Sequence, residues 1–303
     1  MTKHGETAKA TQASTKHGGK FQAYYQLTKP GIIYGNALSA IAGFIFGSKG
    51  NFDVIAFLGV LGGTSLIIAA ACVYNNIIDR HIDAKMARTS KRALVTGAIS
   101  VANAAIYGVI LLSVGFLLLL LFTNILTVII GIVGFIDYVV AYGYFKRKTP
   151  IGTLVGSICG ATPIIAGYCA ATGRFDTGAV LLFLIMVIWQ MPHFYSIAIY
   201  RGKDYMSADI PVLPVVKGNK TAKQHILVYS GLYLVANILL FSSGYASYSY
   251  LIVMLLASLW WLRWAVLGFS VKDNNKWARK MFGYSLIVLL VFCLMLSVNY
   301  WLP

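Results

Sequence analysis

Long apolar segments dominate the 303-residue chain and limit the folds that it can adopt. Each segment is close to the ~20 residues that an α-helix needs to cross a bilayer, whereas a transmembrane β-barrel shows short alternating segments. They lie at about 30–47, 54–74, 101–121, 124–145, 151–171, 177–200, 226–243, 245–267 and 281–301. Only 11% of the residues are charged, far fewer than in a soluble domain. The sequence therefore predicts an all-α integral membrane protein, a bundle of about nine transmembrane helices.

The basic residues indicate how this bundle is oriented. All but three of the 25 Lys and Arg residues fall on the side that carries the N-terminus, the exceptions being Lys49, Arg174 and Arg263. Cytoplasmic loops collect positive charge in this way. We therefore predict a cytoplasmic N-terminus, with the 75–92 and 201–223 loops on the same face. We therefore attribute the net charge of +16 to membrane topology, with membrane lipid as a partner, and expect no binding of nucleic acid.

The ends of the chain and its cysteines suggest a simple organisation. Residues 1–22 are polar and lack the apolar core of a secretory signal, so they are expected to form a disordered cytoplasmic arm. Residues 23–303 are expected to form a single transmembrane domain. The four cysteines lie in apolar segments without a CxxC pair, and are interpreted as buried thiols.

Paired acids follow the second apolar segment. The chain has nine acidic residues, and Asp79 and Asp83 stand four apart, on one face of a helix. Asn75 and Asn76 offer amide oxygens one turn earlier. Mg²⁺ needs few protein ligands when a phosphorylated ligand supplies the rest. The pattern predicts a site for Mg²⁺ and a phosphorylated ligand; the alternative is a solvated loop.

Basic residues of the same loop are candidates for holding phosphate oxygens, because arginine suits bidentate contacts. They are Arg80, Lys85, Arg88 and Arg92. For Lys91 we favour a role in topology alone.

The 200–218 loop carries two further acids on the same predicted face. Lys203 and Asp204 are candidates for a second contact to metal or diphosphate. Asp209 stands five residues after Asp204, which does not place the two on one helical face. A turn or capping role for Asp209 is an equal alternative.

Two predicted spans contain polar residues, and a third contains regularly spaced glycines. Pro192 is expected to kink the sixth span, and His193 beside it is a candidate for substrate binding or for a base, the alternative being a hydrogen-bonded histidine in a polar pocket. Asp137 should face the bundle interior but receives no role. Gly152, Gly156 and Gly160 form a stripe that permits close helix packing.

Taken in order, these motifs resemble the UbiA-type intramembrane prenyltransferases, and within them the branch that farnesylates heme. The 75–83 stretch resembles the first aspartate-rich motif of that family. The other matching stretches are 28–36, 84–94, Lys146-Arg147 with Gly152, 160–167, Trp189-Gln-Met-Pro-His-Phe194, Lys203-Asp204-Tyr205 and 210–216. Lys203-Asp204 stands where the wider family has a second aspartate pair, and Asn76 stands where many members have Asp.

The resemblance implies a reaction and its participants. The farnesyl group of farnesyl diphosphate is joined, with Mg²⁺, to a vinyl group of heme b, and water adds to give a hydroxyethylfarnesyl side chain for terminal heme-copper oxidases. It also implies the bacterial cytoplasmic (inner) membrane, and heme-processing or oxidase-assembly proteins as partners. Two alternatives stay open: the same fold acting on a quinone or chlorophyll precursor, and a transporter.

The resemblance also assigns residues. Asp79, Asp83, Lys203 and Asp204 are expected to be catalytic, and Asn75, Asn76, Asp79, Asp83 and Asp204 to hold the metal. His193 gains a third candidate role, contact with the edge of a heme. The expected substrate-binding residues are Asn36, Arg80, Lys85, Arg88, Arg92, Lys146, Arg147, His193 and Tyr205.

Overall fold

The computed structural model describes residues 19–303, which are largely helical and contain no strand. The α-helices are α1 (Lys20–Leu27), α2 (Pro30–Ser48), α3 (Val54–Asp83), α4 (Val101–Phe122), α5 (Ile125–Ile136), α6 (Gly143–Lys148), α7 (Gly152–Thr172), α8 (Thr177–Tyr200), α9 (Gly202–Ser207), α10 (Leu213–Ser242), α11 (Tyr248–Leu267) and α12 (Asn274–Val298). A π-helical segment, Asp137–Tyr142, joins α5 to α6. The arm predicted over 1–22 lies outside the described residues as far as residue 18, and α1 begins at Lys20.

Within residues 19–303, nine helical stretches are long and apolar enough to cross a membrane, which confirms the predicted fold class. One boundary differs clearly: α10 begins at Leu213, whereas the apolar segment was expected to begin near 226. Three lysines in its first turns lower the hydropathy there. One of them, Lys223, is buried: its Nζ donates to the Gly268 carbonyl at 2.6 Å and lies 5.3 Å from the centre of the Trp277 ring.

Several acidic residues serve as helix caps. The Asp53 carboxylate accepts hydrogen bonds from the Ile55 and Ala56 amides at 2.9 and 3.0 Å, at the start of α3. Asp176 and Asp273 cap α8 and α12 in the same way. Such caps satisfy amides that have no partner within the helix. These three acids are therefore accounted for by local structure.

Glycines allow α7 to pack closely against its neighbours, as the stripe predicted. A Cβ on Gly152 would lie 2.5 Å from the Lys146 Cα, and one on Gly160 would lie 1.9 Å from Gln190 Oε1. Gly156 faces the Tyr142 ring, where a Cβ would approach to 2.7 Å. The stripe thus sets α6 and the π segment directly against α7.

The π segment begins at Asp137, the acid inside the fourth span. Its Oδ2 accepts a hydrogen bond from the Cys159 amide on α7, at 3.0 Å. The segment is followed at once by α6, which carries Lys146 and Arg147. Since π turns change the register of a helix, this segment sets the direction in which those two bases point.

A cavity of about 1640 Å³ lies between α2, α3, α7 and α8. The turns of the 84–100 loop and the short helix α9 border it at the end where α3 stops. Most of its walls come from apolar residues of the spans, and its charged residues are concentrated at that end.

Candidate active site

The last turns of α3 place four predicted residues in this cavity. Asn75, Asn76, Asp79 and Asp83 all line it, and none is more than 8% exposed. Because α3 is continuous from Val54 to Asp83, the two aspartates stand one turn apart on the same face. The structure therefore brings the first predicted motif together at the mouth of the cavity.

Two bases from α6 contact Asp79. Lys146 Nζ donates a hydrogen bond to Asp79 Oδ2, and Arg147 Nη2 donates to Asp79 Oδ1 at 2.7 Å. Arg147 Nη2 also donates to the Ile78 carbonyl at 3.0 Å, which fixes the guanidinium against α3. The Lys146 ammonium lies 5.0 Å from the centre of the Tyr142 ring. Both bases were predicted to bind substrate, and both line the cavity.

The 84–100 loop brings a third base to the second aspartate. Arg92 Nη1 donates to Asp83 Oδ2 at 2.5 Å. Thr89 Oγ1 donates to the Asp83 carbonyl at 2.8 Å, which turns the chain back toward α3. Leu94 and Ile99 are buried in a small cluster with Leu27 and Val73. The loop is therefore packed against α1 and α3, and Arg92 is held in place.

Lys29 is a site residue that the sequence analysis missed. It lies between α1 and α2 with φ of 53°, and its Nζ donates to Asn75 Oδ1 at 2.5 Å. Burial lowers the pKa of Lys29 to about 8, so the ammonium is still mostly protonated at neutral pH. Its position directly before Pro30, at the start of the first span, was the available signal. That signal was assigned to topology only.

The mouth is positively charged overall, because four cations face two carboxylates. The cations are Lys29, Arg92, Lys146 and Arg147, and the carboxylates are Asp79 and Asp83. Such an excess of positive charge favours a polyanion.

The oxygen ligands at the mouth fit Mg²⁺. Asn76 Nδ2 donates to the Leu27 carbonyl at 2.8 Å, whereas the buried Asn76 Oδ1 has no hydrogen-bond partner among the described residues. Residues 19–303 contain no group of three or more His, Cys, Asp or Glu side chains suited to a metal. A cation here would therefore take several ligands from outside the protein, as Mg²⁺ does with phosphates and water.

The second loop contributes two of its predicted residues to the cavity. Asp204 and Tyr205, on α9, line it, and Asp204 lies 3.6 Å from Arg201. Lys203 is exposed and lines a separate shallow pocket instead. The structure therefore does not bring Lys203 to the two aspartates of α3.

Asp209 and Lys85 join the two loops to each other. Lys85 Nζ lies 3.1 Å from Asp209 Oδ2, with both side chains largely exposed. Ser207 Oγ also donates to the Lys85 carbonyl at 3.3 Å. Lys85 does not line the cavity of the described structure, and neither does Arg80, whose Nη1 donates to the Ile77 carbonyl at 2.8 Å.

The remaining predicted residues lie on other walls. Asn36 and Arg88 both line the cavity, and the Asn36 amide donates to the Ile32 carbonyl at 2.8 Å. His193 lines it from α8, and its Nδ1 lies 2.7 Å from Ser285 Oγ on α12. The helix is assigned without a break through Pro192. His193 therefore has both a hydrogen-bonded nitrogen and access to the cavity.

Sequence comparison places this bundle in a known class. The profile of the UbiA prenyltransferase family matches residues 36–298, and the chain belongs to that family. The resemblance drawn from the motifs is confirmed. Among individual relatives, the chain is 49% identical over 284 residues to the protoheme IX farnesyltransferase of Shigella flexneri, covering 93% of this chain and 96% of that protein.

Solved structures show the same fold. A digeranylgeranylglyceryl phosphate synthase aligns with a TM-score of 0.77 at 21% identity, over 92% of this chain and 98% of that chain. A UbiA homologue from Archaeoglobus fulgidus, bound to GPP and Mg²⁺, aligns with a TM-score of 0.68 at 17% identity, over 91% of this chain and 100% of that one. At these identities the likeness concerns the fold.

Proposed function

We propose that this protein transfers the farnesyl group of farnesyl diphosphate to a vinyl group of heme b, with addition of water, giving heme O and diphosphate. One observation carries the proposal: two carboxylates, one turn apart on α3, meet three bases at the mouth of a large apolar cavity, and a fourth base, Lys29, contacts Asn75 beside them. The relationship to protoheme IX farnesyltransferases supplies the acceptor.

The bases of the mouth bind the diphosphate. Arg92 and Arg147 suit bidentate contacts with phosphate oxygens, and Lys29 and Lys146 add point charges. In this structure these groups pair with Asp79, Asp83 and Asn75, so all four already lie beside the last turns of α3. When a diphosphate binds, it shares these donors with the carboxylates.

The residues of α3 hold Mg²⁺ in this proposal. Asp79, Asp83 and the amide oxygen of Asn76 would be its ligands, and Asp204 from the second loop lines the same cavity. Mg²⁺ held by these residues would supply positive charge for the leaving diphosphate. Since Lys203 points away from the cavity, we assign it no contact with the metal.

The reaction replaces the C1–O bond of farnesyl diphosphate and the π bond of the vinyl group with a new carbon–carbon bond and a hydroxyl group from water. The C1–O bond of farnesyl diphosphate breaks, and its electron pair leaves with the diphosphate. The π electrons of the heme vinyl group form a carbon–carbon bond to C1, which leaves a cation beside the porphyrin. Water adds there and loses a proton, giving the hydroxyl group. The apolar cavity keeps water from the first, allylic cation.

The setting of the reaction follows from the fold. The nine spans in the described part of the chain place the protein in a membrane, and we propose the bacterial inner membrane. The charge distribution supports a cytoplasmic N-terminus and a cytoplasmic mouth. Residues 23–303 then form one prenyltransferase domain, with membrane lipid around it and heme-processing or oxidase-assembly proteins as candidate partners.

Product analysis tests this proposal. Purified protein in nanodiscs receives farnesyl diphosphate, Mg²⁺ and heme b, and heme O and diphosphate are measured by mass spectrometry and a coupled assay. We expect heme O only when all three are present, and none with Asp83→Ala. A quinone-precursor acceptor is run in parallel. Farnesylation of that acceptor without any heme O would contradict the assignment of heme b.

A further inference from the structure

The imidazole of His193 is held rigidly in the wall of the cavity. It stacks on the Trp189 ring, with ring centres 4.9 Å apart and an interplanar angle of 27°. The centre of the Phe282 ring also lies 4.9 Å from the centre of the imidazole. Trp189 is itself anchored, because its Nε1 donates to the Ser285 carbonyl at 2.9 Å. Ser285 therefore fixes both rings to α12.

The hydrogen bonds assign the tautomer of His193. Ser285 Oγ donates its single proton to the Phe282 carbonyl at 2.6 Å. The same oxygen lies 2.7 Å from His193 Nδ1, so Nδ1 carries the proton and donates it. A neutral imidazole with Nδ1 protonated has a free electron pair on Nε2.

Nε2 is available to a ligand in the cavity. It has no hydrogen-bond partner among the described residues. It is also not one of the fully buried side-chain atoms that lack a partner there, and His193 lines the cavity, so Nε2 is accessible from the cavity. Of the histidines in the described part of the chain, His193 is the one that lines it. His225 packs instead against Tyr195, with ring centres 5.6 Å apart.

The cavity has room for two substrates. Its volume of about 1640 Å³ exceeds the roughly 300–1,000 Å³ of a pocket for one drug-sized ligand. The bases at its mouth come from α6 and from the loops beside α1 and α3, whereas His193 comes from α8. A diphosphate and a macrocycle can therefore occupy different walls.

We propose that His193 Nε2 is the axial ligand of the iron of the acceptor heme. Neutral imidazole is a common axial ligand of heme iron, and the Nδ1–H bond to Ser285 is the kind of second contact that orients a ligating histidine. The identity of the acceptor rests on the proposed function; the free nitrogen and its orientation do not. Coordination fixes the macrocycle at one point and so limits where its vinyl groups lie. His193 is in this respect a positioning residue.

Optical and EPR spectra of bound ferric heme b test the proposal. The wild-type protein is titrated with heme b beside His193→Ala, Ser285→Ala and the control His225→Ala. We expect His193→Ala to lose the spectrum of a nitrogen-ligated iron and to weaken heme affinity by at least about tenfold. Added imidazole should restore that spectrum. His225→Ala should behave as wild type, and Ser285→Ala should keep the ligand with a shifted spectrum.

Folding and function are checked separately. Titration of His193→Ala with farnesyl diphosphate reports folding, because the bases proposed to bind that ligand come from other elements than α8, and unchanged affinity is expected. If His193→Ala binds heme b with the wild-type spectrum and affinity, the axial assignment is wrong while the proposed function stands. If wild-type protein binds no heme b at all, the proposed function fails, and this inference with it.

Discussion

Asp79→Asn removes one negative charge from the mouth while keeping the size of the side chain. Asp79 accepts hydrogen bonds from Lys146 and Arg147. A hydrogen bond to a charged group contributes about 1.5–3 kcal/mol, and one between neutral groups about 0.5–1.5 kcal/mol. An asparagine side chain has a single acceptor oxygen, and its amide nitrogen cannot accept from either base, so one of the two hydrogen bonds is lost. This loss lowers the free energy of unfolding by about 2 kcal/mol. The variant should insert and fold.

Turnover should fall much further than stability. The carboxylate is a proposed ligand of Mg²⁺, and it also orients the two bases that meet the diphosphate. Removing one preorganised electrostatic group typically lowers kcat by about 10²–10³, or about 2.7–4 kcal/mol. We expect a loss of that size in kcat/KM for farnesyl diphosphate, together with a higher Mg²⁺ concentration at half-maximal rate.

The assay measures heme O formation against Mg²⁺ concentration, with protein stability followed in parallel. Asp209→Asn is the matched control, because the Asp209 side chain is 82% exposed and its contact with Lys85 is a surface ion pair. Such pairs contribute about 0–1 kcal/mol, so the control should stay close to wild type. An Asp79→Asn protein with wild-type kcat/KM and wild-type Mg²⁺ requirement would refute the metal assignment and the reasoning behind it.

Three further variants test how the mouth is built. Gly152→Ala places a Cβ 2.5 Å from the Lys146 Cα, and overpacking of this kind costs about 1–3 kcal/mol. The variant should therefore displace that base and lower kcat/KM more than about tenfold. Gly231 faces open space, so the control Gly231→Ala should leave kcat/KM unchanged. Arg92→Lys keeps the charge but loses the bidentate fork, so the Kd for farnesyl diphosphate in a direct titration should rise, though less than with Arg92→Gln. A wild-type Kd for Arg92→Lys would contradict a bidentate contact. Lys29→Met keeps the length without the charge, and the Kd should rise about tenfold, the equivalent of one charge-assisted hydrogen bond; an unchanged Kd would exclude Lys29 from the diphosphate site.

The sequence alone predicts those features that depend on local spacing. The apolar segments set the number of spans because each must satisfy its backbone within one helix. Asp79 and Asp83 were predicted on one face because the helical period is a local property. The stripe of Gly152, Gly156 and Gly160 was predicted as a packing surface for the same reason, but its partners were not.

Features that depend on contacts between distant residues escaped prediction. Lys29 meets Asn75 across 46 residues, and His193 meets Ser285 across 92. Neither approach leaves a pattern in the sequence, because it results from how whole helices pack. Lys203 shows the reverse error: it lies in the right loop, but the short helix α9 turns Asp204 and Tyr205 to the cavity and leaves Lys203 outside.

The π segment between α5 and α6 makes the geometry of the mouth depend on how many residues this segment contains, as well as on which residues they are. Each residue of an α-helix turns the chain by about 100°, so one residue more or fewer within Asp137–Tyr142 redirects Lys146 and Arg147 by about that angle. A relative that kept both bases but differed in length here would aim them at another wall. When homologous chains are aligned, a gap in this segment is therefore expected to alter the diphosphate site even where both bases are kept.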